Sequence, residues 1–572
     1  MTENKKALKV TFASENENEI DLNQIASFNL KKTQKSHRKF NQIGKKTETI
    51  ILFISLAISF TTRFWKLSHP KETLLPEIST GKSINHYLLG EFFAGQKPPF
   101  ANMLMSFVAK ICATKPALTF TSPGEQIPPD FPLTCLRTAS TFFGSLVPEL
   151  VYLVTRSMGG SVIASFLAAS MIIFENTMIV QSHLISTNSF VLLLVISAVF
   201  FALKETHLRP LSKKSLFAMS LSAVSLGMAI SSEPFSWVTF IFIILFQIIN
   251  IFRQKNQKKI IIFKRILSIF VIFFAFAIVI FIISYNFHFN FLPFNENDNL
   301  EQKTMLYSDG LIQSADSKQA GFGFLPDFLS QIHSQENIID ESAEIYSNEM
   351  KVQNYASNWH QWLLHTSKAV ELWRKDSTDI TEPKQYIYSI GNPFVWWIVF
   401  FCVIFIIFNF LMINENTNTT ENKNKNKNEN ENENTTENEN ENENKNLKRK
   451  NSVSHLIYTR YDYLLDMIST NSFNLFFLLC GYFIHLLPIF RKDKFLFNYD
   501  YQYSLLFGII LASLVIDFIL STLTSDQVFE MIIACTIWVI VIFGWFFFIP
   551  IIYGYDIDVY AFQKRFWFKS WR

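Results

Sequence analysis

The sequence predicts an all-α polytopic membrane protein with about eleven transmembrane helices and two luminal loops. Of the 572 residues, 49% are hydrophobic, and the mean hydropathy is +0.18. The apolar residues form blocks of roughly 20, enough to cross about 30 Å of hydrocarbon as a helix. Backbone polar groups inside lipid must be paired internally, which makes these blocks helices. The net charge is +3. The basic residues are divided among short loops and do not form the basic stripe that a nucleic-acid-binding surface would need.

The apolar blocks follow one another from residue 48 to residue 552. Two of them, 160–178 and 188–203, are cramped, and we expect that they are broken or tilted. The eleven blocks lie near 48–63, 133–155, 160–178, 188–203, 215–231, 235–252, 264–284, 393–413, 472–490, 501–521 and 528–552.

Orientation is predicted from the short loops. The loops 204–214 and 253–265 are basic, and the N-terminal tail is rich in Lys up to 45–46. An even number of crossings separates these three regions, so they share one side, and the positive-inside rule makes that side cytosolic. The N-x-S/T sequons, at Asn418 and Asn434, fall in a segment predicted to be cytosolic, where N-glycosylation does not occur.

These assignments divide the chain into tails, loops and membrane domains. The Asn/Glu/Lys-rich stretch after 413 is too polar to bury a core and is predicted to be disordered, as a docking tail or a solvated insertion. The predicted parts are a cytosolic polar tail at 1–47, an N-terminal membrane domain at 48–284 with the first luminal loop at 64–132, a large luminal loop at 285–392, a transmembrane helix at 393–412, a disordered cytosolic loop at 413–470, C-terminal transmembrane helices at 471–553 and a luminal tail at 554–572.

Cysteine usage suggests neither a disulfide framework nor a zinc site. The five cysteines fall mostly in or beside apolar blocks, with no CxxC spacing. The polar N-terminus is not typical of a cleavable signal peptide, so the first membrane helix is expected to direct the chain to the membrane.

Two stretches after the first helix form a recurring pattern. RFWKLSHPKETLLPEISTGK spans 63–82, and HYLLGEFFAGQKPPFANML spans 86–104. An Arg–aromatic pair, a Pro seven residues later, an acidic position, a Gly, a Tyr and a double Pro resemble the first luminal loop of the dolichyl-phosphate-mannose–protein O-mannosyltransferase family. The alignment by eye runs without gaps from Arg63 to Leu104.

Later segments continue the resemblance in the same order. FPLTCLRTASTFFGSLVPELVYLVTRSMGGS resembles the family's second helix and places Arg137 at its Arg position. FENTMIVQSHLISTNS resembles the next luminal turn, with His183 and Asn188 where the family usually has Arg and Asp. IYSIGNPFVWW, GYFIHLLPIF and FFFIPIIYG resemble the later helices. The resemblance covers most of 48–204 and 355–555 and implies a GT-C-like fold, without the β-trefoil domain that many members carry, because 285–392 is too short for it.

The family's reaction, as the resemblance implies it, moves mannose from dolichyl phosphate mannose to a Ser or Thr hydroxyl, with inversion, in the lumen of the endoplasmic reticulum. It needs no cofactor beyond the lipid-linked donor. A carboxylate must take the hydroxyl proton, and cations must receive the leaving phosphate. The implied partners are membrane lipid, the donor, acceptor proteins and a family member in a hetero- or homodimer.

This chain departs from the family at the base. The family's acidic dipeptide is Asp-Glu, whose Asp is held to be the base, but here it is Pro76-Glu77. Glu77 is therefore the candidate base, and its alternatives are a solvated carboxylate or an acceptor that braces the loop. Because polar positions are replaced while scaffold positions are kept, a second function is also expected: a catalytically impaired member that is a structural or regulatory partner of an active one. A transporter would instead show mid-helix charges and broken-helix repeats.

Four further residues are candidates for binding substrate. Arg137 is predicted to bind the lipid phosphate or to be paired structurally. Arg63 is either an interfacial anchor or a phosphate ligand. Lys97 supplies positive charge where the family has His, or is simply exposed. His485 is a substrate ligand or a satisfied buried histidine. We also predict that Trp359, Trp362 and Trp373 anchor the chain at the interface or line an acceptor groove.

Overall fold

The fold is a bundle of long helices with a small helical and β-structured layer at one end. The computed structural model describes residues 44–91, 93, 97–116, 118, 120–254, 257–292, 352–375, 384–429, 464–465, 467–487, 496–523 and 527–572. Its helices are α1 Lys45–Phe64, α2 Glu77–Leu89, α3 Phe100–Ile111, α4 Leu133–Ser157, α5 Val162–Ile173, α6 Asn176–Ser182, α7 Asn188–Thr206, α8 Lys213–Ile230, α9 Ser236–Arg253, α10 Lys259–Phe291, α11 Trp359–Leu363, α12 Pro393–Glu429, α13 Ser472–Leu486, α14 Gln502–Leu523, α15 Gln527–Ile552 and α16 Val559–Gln563; the strands are β1 Val370–Arg374 and β2 Tyr386–Ser389.

A helix overlies each of the eleven predicted apolar blocks. Within the described residues, seven helices are long and apolar enough to cross a membrane, or eight if the bent pair α5–α6 is one span. The polytopic helical fold is therefore confirmed, whereas the count of eleven spans stays a prediction. α4 and α8 fall outside the seven, and α13 has only 15 residues.

The predicted break in the 160–178 block is confirmed, and the 188–203 block is one continuous helix. α5 and α6 are bent by 59° at residues 174–175. Glu175 lies at this bend and caps α6, because its Oε2 accepts from the backbone N–H of Met178 at 2.7 Å. Its Oε1 accepts from the backbone N–H of Asn392 and from the indole of Trp396, both at 3.0 Å. The bend is thereby fixed to the start of α12.

The bundle core includes close contacts between helix backbones. α8 approaches α10 at Gly227, where an added Cβ would lie 3.0 Å from the backbone oxygen of Phe276. Small residues at helix interfaces allow backbones to come this near in a membrane protein. Large apolar side chains on α10 and α15 face outward, as expected of surfaces in contact with lipid.

One expectation is corrected at the end of the bundle that carries the first loop, where a small sheet accompanies the predicted helices. β1 and β2 pair antiparallel in this two-stranded sheet. Cys112 and Cys135 form a disulfide, so the expectation of no disulfide is wrong. The bond joins the end of α3 to the start of α4 and closes the loop between them.

Several predicted domains lie wholly or partly outside the described residues. These are most of the tail 1–47, the part 293–351 of the large loop and the part 430–463 of the Asn/Glu/Lys-rich loop. α12 continues to Glu429, beyond the predicted boundary at 412, so a helix enters the segment that was predicted to be disordered.

Candidate functional site

The first loop is held against the bundle by a buried ion pair between Glu77 and Arg137. Arg137 Nε lies 2.8 Å from Glu77 Oε1, and Nη2 lies 3.0 Å from Oε2. Glu77 is 0% exposed and Arg137 is 1% exposed. Such a bidentate pair fixes both the distance and the orientation of the two groups.

Both side chains also form hydrogen bonds to the backbone. The Glu77 carboxylate accepts from the backbone N–H groups of Leu74 and Ile185, each at 3.0 Å. Arg137 Nη1 donates to the carbonyl oxygens of Pro70 at 3.1 Å and Leu67 at 3.3 Å. The carboxylate at the family's acidic position therefore braces the loop, which was one of the two alternatives. Its role as a base stays a prediction.

Pro76 occupies the position where the family has its expected base. It is the residue before α2, with φ −74° and ψ −13°. Proline suits a helix start because its φ is fixed and its missing N–H would be unpaired there in any case. At this position the chain therefore has a residue that favours the start of a helix, and it lacks the carboxylate that the family has there.

A crevice lies beside this ion pair, where the ends of α1, α6 and α15 meet β2. The crevice is narrow and partly open to solvent. The lining contains basic, imidazole and phenol groups among apolar side chains, but no carboxylate. It consists of Lys66, His69, Pro70, Leu74, Arg137, Val180, His183, Leu184, Ile387, Ile552 and Tyr553.

Lys66 and His69 form the first-loop wall of the crevice. Lys66 Nζ donates to the carbonyl oxygen of Gly554 at 3.1 Å and lies 3.8 Å from the ring centroid of Tyr555. Burial, together with the positive charges of Lys66 and Arg137, lowers the pKa of His69 to about 4. His69 is therefore a neutral imidazole at neutral pH.

The opposite wall carries His183 and Tyr553. Their rings lie 5.3 Å apart between centroids, and Tyr553 donates its hydroxyl to the carbonyl oxygen of Thr62 at 2.7 Å. His183 Nε2 is buried and has no hydrogen-bond partner among the residues that the structure describes. A buried ring nitrogen that lacks a protein partner is suited to a water molecule or a ligand.

The other predicted ligands lie outside the crevice. Arg63 is 1% exposed and donates to the carbonyl oxygen of Ile172 at 2.9 Å, so its predicted role as an interfacial anchor is wrong. Its guanidinium instead donates hydrogen bonds to backbone carbonyl groups that the end of α5 leaves without a partner inside the helix. Lys97 is paired with Glu233 at 2.5 Å, at the α8–α9 turn.

His485 is a buried histidine whose two ring nitrogens both have partners. Nδ1 lies 2.7 Å from the carbonyl oxygen of Gly481, and Nε2 lies 2.8 Å from the hydroxyl of Thr239. The ring stacks on Phe507 with centroids 4.8 Å apart. This is the alternative of a satisfied buried histidine, and it places His485 in the α9–α13–α14 packing.

Two of the three tryptophans are part of the packed layer at this end of the bundle. Trp362 is 1% exposed and donates to Ser357 Oγ at 2.9 Å. Trp373 is 5% exposed and donates to Glu72 Oε2 at 2.5 Å. Buried side chains of this kind are not interfacial anchors, and the crevice lining contains neither of them.

Sequence reasoning found one crevice residue, Arg137, and missed four others. Lys66 and His69 lie inside the stretch that resembles the family's first loop, but neither is a position of the recurring pattern. His183 did carry a signal, since it stands where the family usually has Arg. Tyr553 lies in FFFIPIIYG, a stretch whose sequence predicts only a helix.

Two family profiles match most of the chain. Residues 53–292 match the profile described as dolichyl-phosphate-mannose-protein mannosyltransferase. Residues 327–438 and 454–571 match the C-terminal four-transmembrane region of protein-O-mannosyltransferase. The second profile follows the first along the chain.

Curated relatives and a solved structure agree with these profiles. Dolichyl-phosphate-mannose–protein mannosyltransferase 4 of Schizosaccharomyces pombe is 28% identical over 204 residues, which cover 35% of this chain and 26% of the relative. Dolichyl-phosphate-mannose–protein mannosyltransferase 2 of Candida albicans is 25% identical over 272 residues, which cover 46% of this chain and 35% of the relative. The alignments thus span about a quarter to a third of these relatives' lengths.

The fold is shared with a solved complex. The S. cerevisiae protein O-mannosyltransferase Pmt1-Pmt2 complex bound to the sugar donor matches with a TM-score of 0.72, covering 94% of both chains at 14% identity. The likeness shows the shared fold, and the two profiles establish that the chain belongs to the dolichyl-phosphate-mannose–protein mannosyltransferase family.

Proposed function

We propose that this chain transfers mannose from dolichyl phosphate mannose to Ser and Thr hydroxyls of proteins at the luminal face of the endoplasmic reticulum membrane. The observation that carries the proposal is the crevice where Lys66 and Arg137 face His183 and Tyr553 beside the ends of membrane helices. Relatives that match the chain bear the name of this activity.

The crevice has the groups that the departing phosphate requires. As the mannosyl bond breaks, negative charge grows on the dolichyl phosphate, and nearby cations and hydrogen-bond donors stabilise it. Lys66 supplies positive charge and N–H donors, and Arg137 adds a second cation whose charge is partly offset by its partner Glu77. The lipid chain stays in the bilayer during the reaction, so a site at the helix ends suits the donor.

The disulfide supports a luminal position for this end of the bundle. Disulfides persist in the lumen of the endoplasmic reticulum and are rare in the reducing cytosol. Cys112 and Cys135 lie in or beside the loop 64–132, which the charge pattern predicts to be luminal. The N-terminus is then cytosolic, and the C-terminus is luminal.

The test is a donor-binding and transfer assay on the purified full chain in lipid vesicles. We expect wild-type protein to move mannose from dolichyl phosphate mannose to a Ser/Thr peptide. Lys66→Met should weaken donor binding at least tenfold, because it removes a crevice cation. Lys71→Met is the matched control, since Lys71 is an exposed first-loop lysine that does not line the crevice. Equal binding by all three proteins would contradict the assigned phosphate site.

A second function is favoured by the use of Glu77 in the ion pair. A carboxylate that accepts hydrogen bonds from two backbone groups and from Arg137 is poorly placed to take a substrate proton. The chain would then be an impaired member that supports an active one. The solved structure that shares this fold is a complex of two protein O-mannosyltransferases, Pmt1 and Pmt2.

Two measurements separate these functions. An impaired partner co-purifies with an active family member but transfers no mannose when purified alone. In that case Pro76→Asp, which introduces a carboxylate at the family's base position, should produce transfer from an inactive background. Transfer by the wild-type chain alone would exclude the second function.

A further inference from the structure

The turn after α15 brings a carboxylate to the rim of the crevice. This turn runs through Gly554, whose φ of +64° is in the left-handed region, and it ends at Ile557. The Ile557 backbone pairs with Lys384, just before β2, through N–O distances of 3.0 and 3.1 Å. Asp556 is held between these two fixed points.

The same turn packs directly on the first loop. Lys66, which lines the crevice, donates to the carbonyl oxygen of Gly554, and its ammonium lies over the ring of Tyr555. Trp65 donates its indole N–H to the Tyr555 hydroxyl at 2.7 Å. An added Cβ on Gly554 would lie 2.6 Å from His69 Nε2, so the turn also touches the second crevice residue of this wall.

The side chain of Asp556 is held by the segment that leads into β2. Its Oδ1 accepts from Gln385 Nε2 at 2.9 Å. Gln385 directly precedes β2, and Ile387 of that strand lines the crevice. Asp556 is exposed, and among the described residues its Oδ2 accepts no hydrogen bond. A substrate hydroxyl can therefore approach this oxygen.

The charge of Asp556 acts on both crevice residues of the first loop. Burial lowers the pKa of Lys66 and of His69, and the negative charge of Asp556 opposes that lowering at each. The contacts of the turn with Trp65, Lys66 and His69 place this carboxylate beside the first-loop wall, whereas the described residues that line the crevice include no carboxylate.

We propose that Asp556 is the general base of mannosyl transfer in this chain, in place of the carboxylate missing at Pro76. This inference rests on the proposed transferase function. The Ser or Thr oxygen of the acceptor bonds to C1 of mannose as the bond from C1 to the phosphate oxygen breaks. The dolichyl phosphate leaves with the electron pair of that bond, and the hydroxyl proton passes to Asp556 Oδ2. No oxidant, reductant or further reactant is needed.

The test compares Asp556→Asn with Asp558→Asn in the transfer assay on the full chain in vesicles. Both aspartates are exposed and lie two residues apart. Asp558 caps α16 by accepting from the backbone N–H of Ala561 at 2.8 Å, and Asn is an equally good cap, so the control keeps its fold. We expect Asp556→Asn to lower kcat about 100-fold or more, the usual contribution of a positioned base, with the Kd for donor unchanged.

One further variant tests whether the carboxylate itself is required. Asp556→Glu should recover part of the lost kcat, since it restores a carboxylate. A kcat of Asp556→Asn within threefold of wild type, while the wild type is active, would overturn the role of Asp556 and leave the transferase function standing. A wild-type chain that binds donor but transfers no mannose would overturn both.

Discussion

Replacing Glu77 with Gln removes one charge of a fully buried ion pair. The Glu77 carboxylate receives four hydrogen bonds, two from Arg137 and one each from the Leu74 and Ile185 backbones. A Gln side chain keeps one acceptor oxygen and places an amide NH₂ where the other oxygen was, facing N–H donors. Arg137 is then left as a buried cation without its counter-charge.

The magnitude follows from this geometry. Removing one partner of a buried ion pair costs about 3–5 kcal/mol, because the remaining charge is uncompensated. The unpaired backbone N–H adds a desolvation penalty of about 1–3 kcal/mol, which partial relaxation of the loop reduces. We therefore expect Glu77→Gln to lower the free energy of unfolding by at least about 3 kcal/mol.

The assay is equilibrium unfolding of the purified protein in mixed detergent, with near-ultraviolet absorbance as the signal. Glu91→Gln is the control, because the Glu91 side chain is 45% exposed and its partner His86 is also on the surface. It should change stability by less than about 0.5 kcal/mol. The double variant Glu77→Gln/Arg137→Met should recover part of the loss, since it removes the stranded cation. A loss below about 1 kcal/mol in Glu77→Gln, with no coupling to Arg137, would refute the bracing role.

Three other predictions concern the same end of the molecule. Replacing Cys112 and Cys135 by Ser should lower the free energy of unfolding by about 3 kcal/mol, which is the loop-closure contribution for a separation of 23 residues. The controls are the wild-type protein with its disulfide intact and the wild-type protein after reduction. His69 has a folded pKa of about 4 against an ordinary 6.5, so the unfolded chain binds more protons between these values and stability falls as pH drops through this window; His69→Gln should remove that part of the pH dependence in thermal melts. Gly391→Ala should lower Tm, because its Cβ would lie 2.3 Å from the Trp396 ring, and an unchanged Tm would show that the ring moves freely.

The helices could be predicted from sequence because their signal is local. A run of about 20 apolar residues crosses lipid as a helix, because its backbone polar groups must be paired within the segment, and a helix is found at each predicted block. The bend between α5 and α6 was anticipated from a cramped block, yet its cause lies far away in sequence. Asn392 and Trp396 bond to Glu175 from the start of α12, a contact that no local pattern encodes.

The candidate site was predicted only in part because its residues gather from distant segments. Arg137 was found through its family position, but no sequence pattern identifies Glu77 as its partner. The disulfide was missed because a separation of 23 residues without a CxxC motif does not define a partner. Lys66 and Asp556 are 490 positions apart, and only the packing of the turn after α15 on the first loop brings their segments together.

The measurement that tests the central claim most directly is mannosyl transfer by the purified chain, prepared free of any family member and reconstituted in vesicles. Labelled dolichyl phosphate mannose and a Ser/Thr peptide are supplied, and the peptide product is identified by mass. The account predicts a mannosylated peptide that is formed by wild type and is lost in Asp556→Asn but not in Asp558→Asn. Donor binding by the wild-type chain without any mannosylated peptide would contradict it.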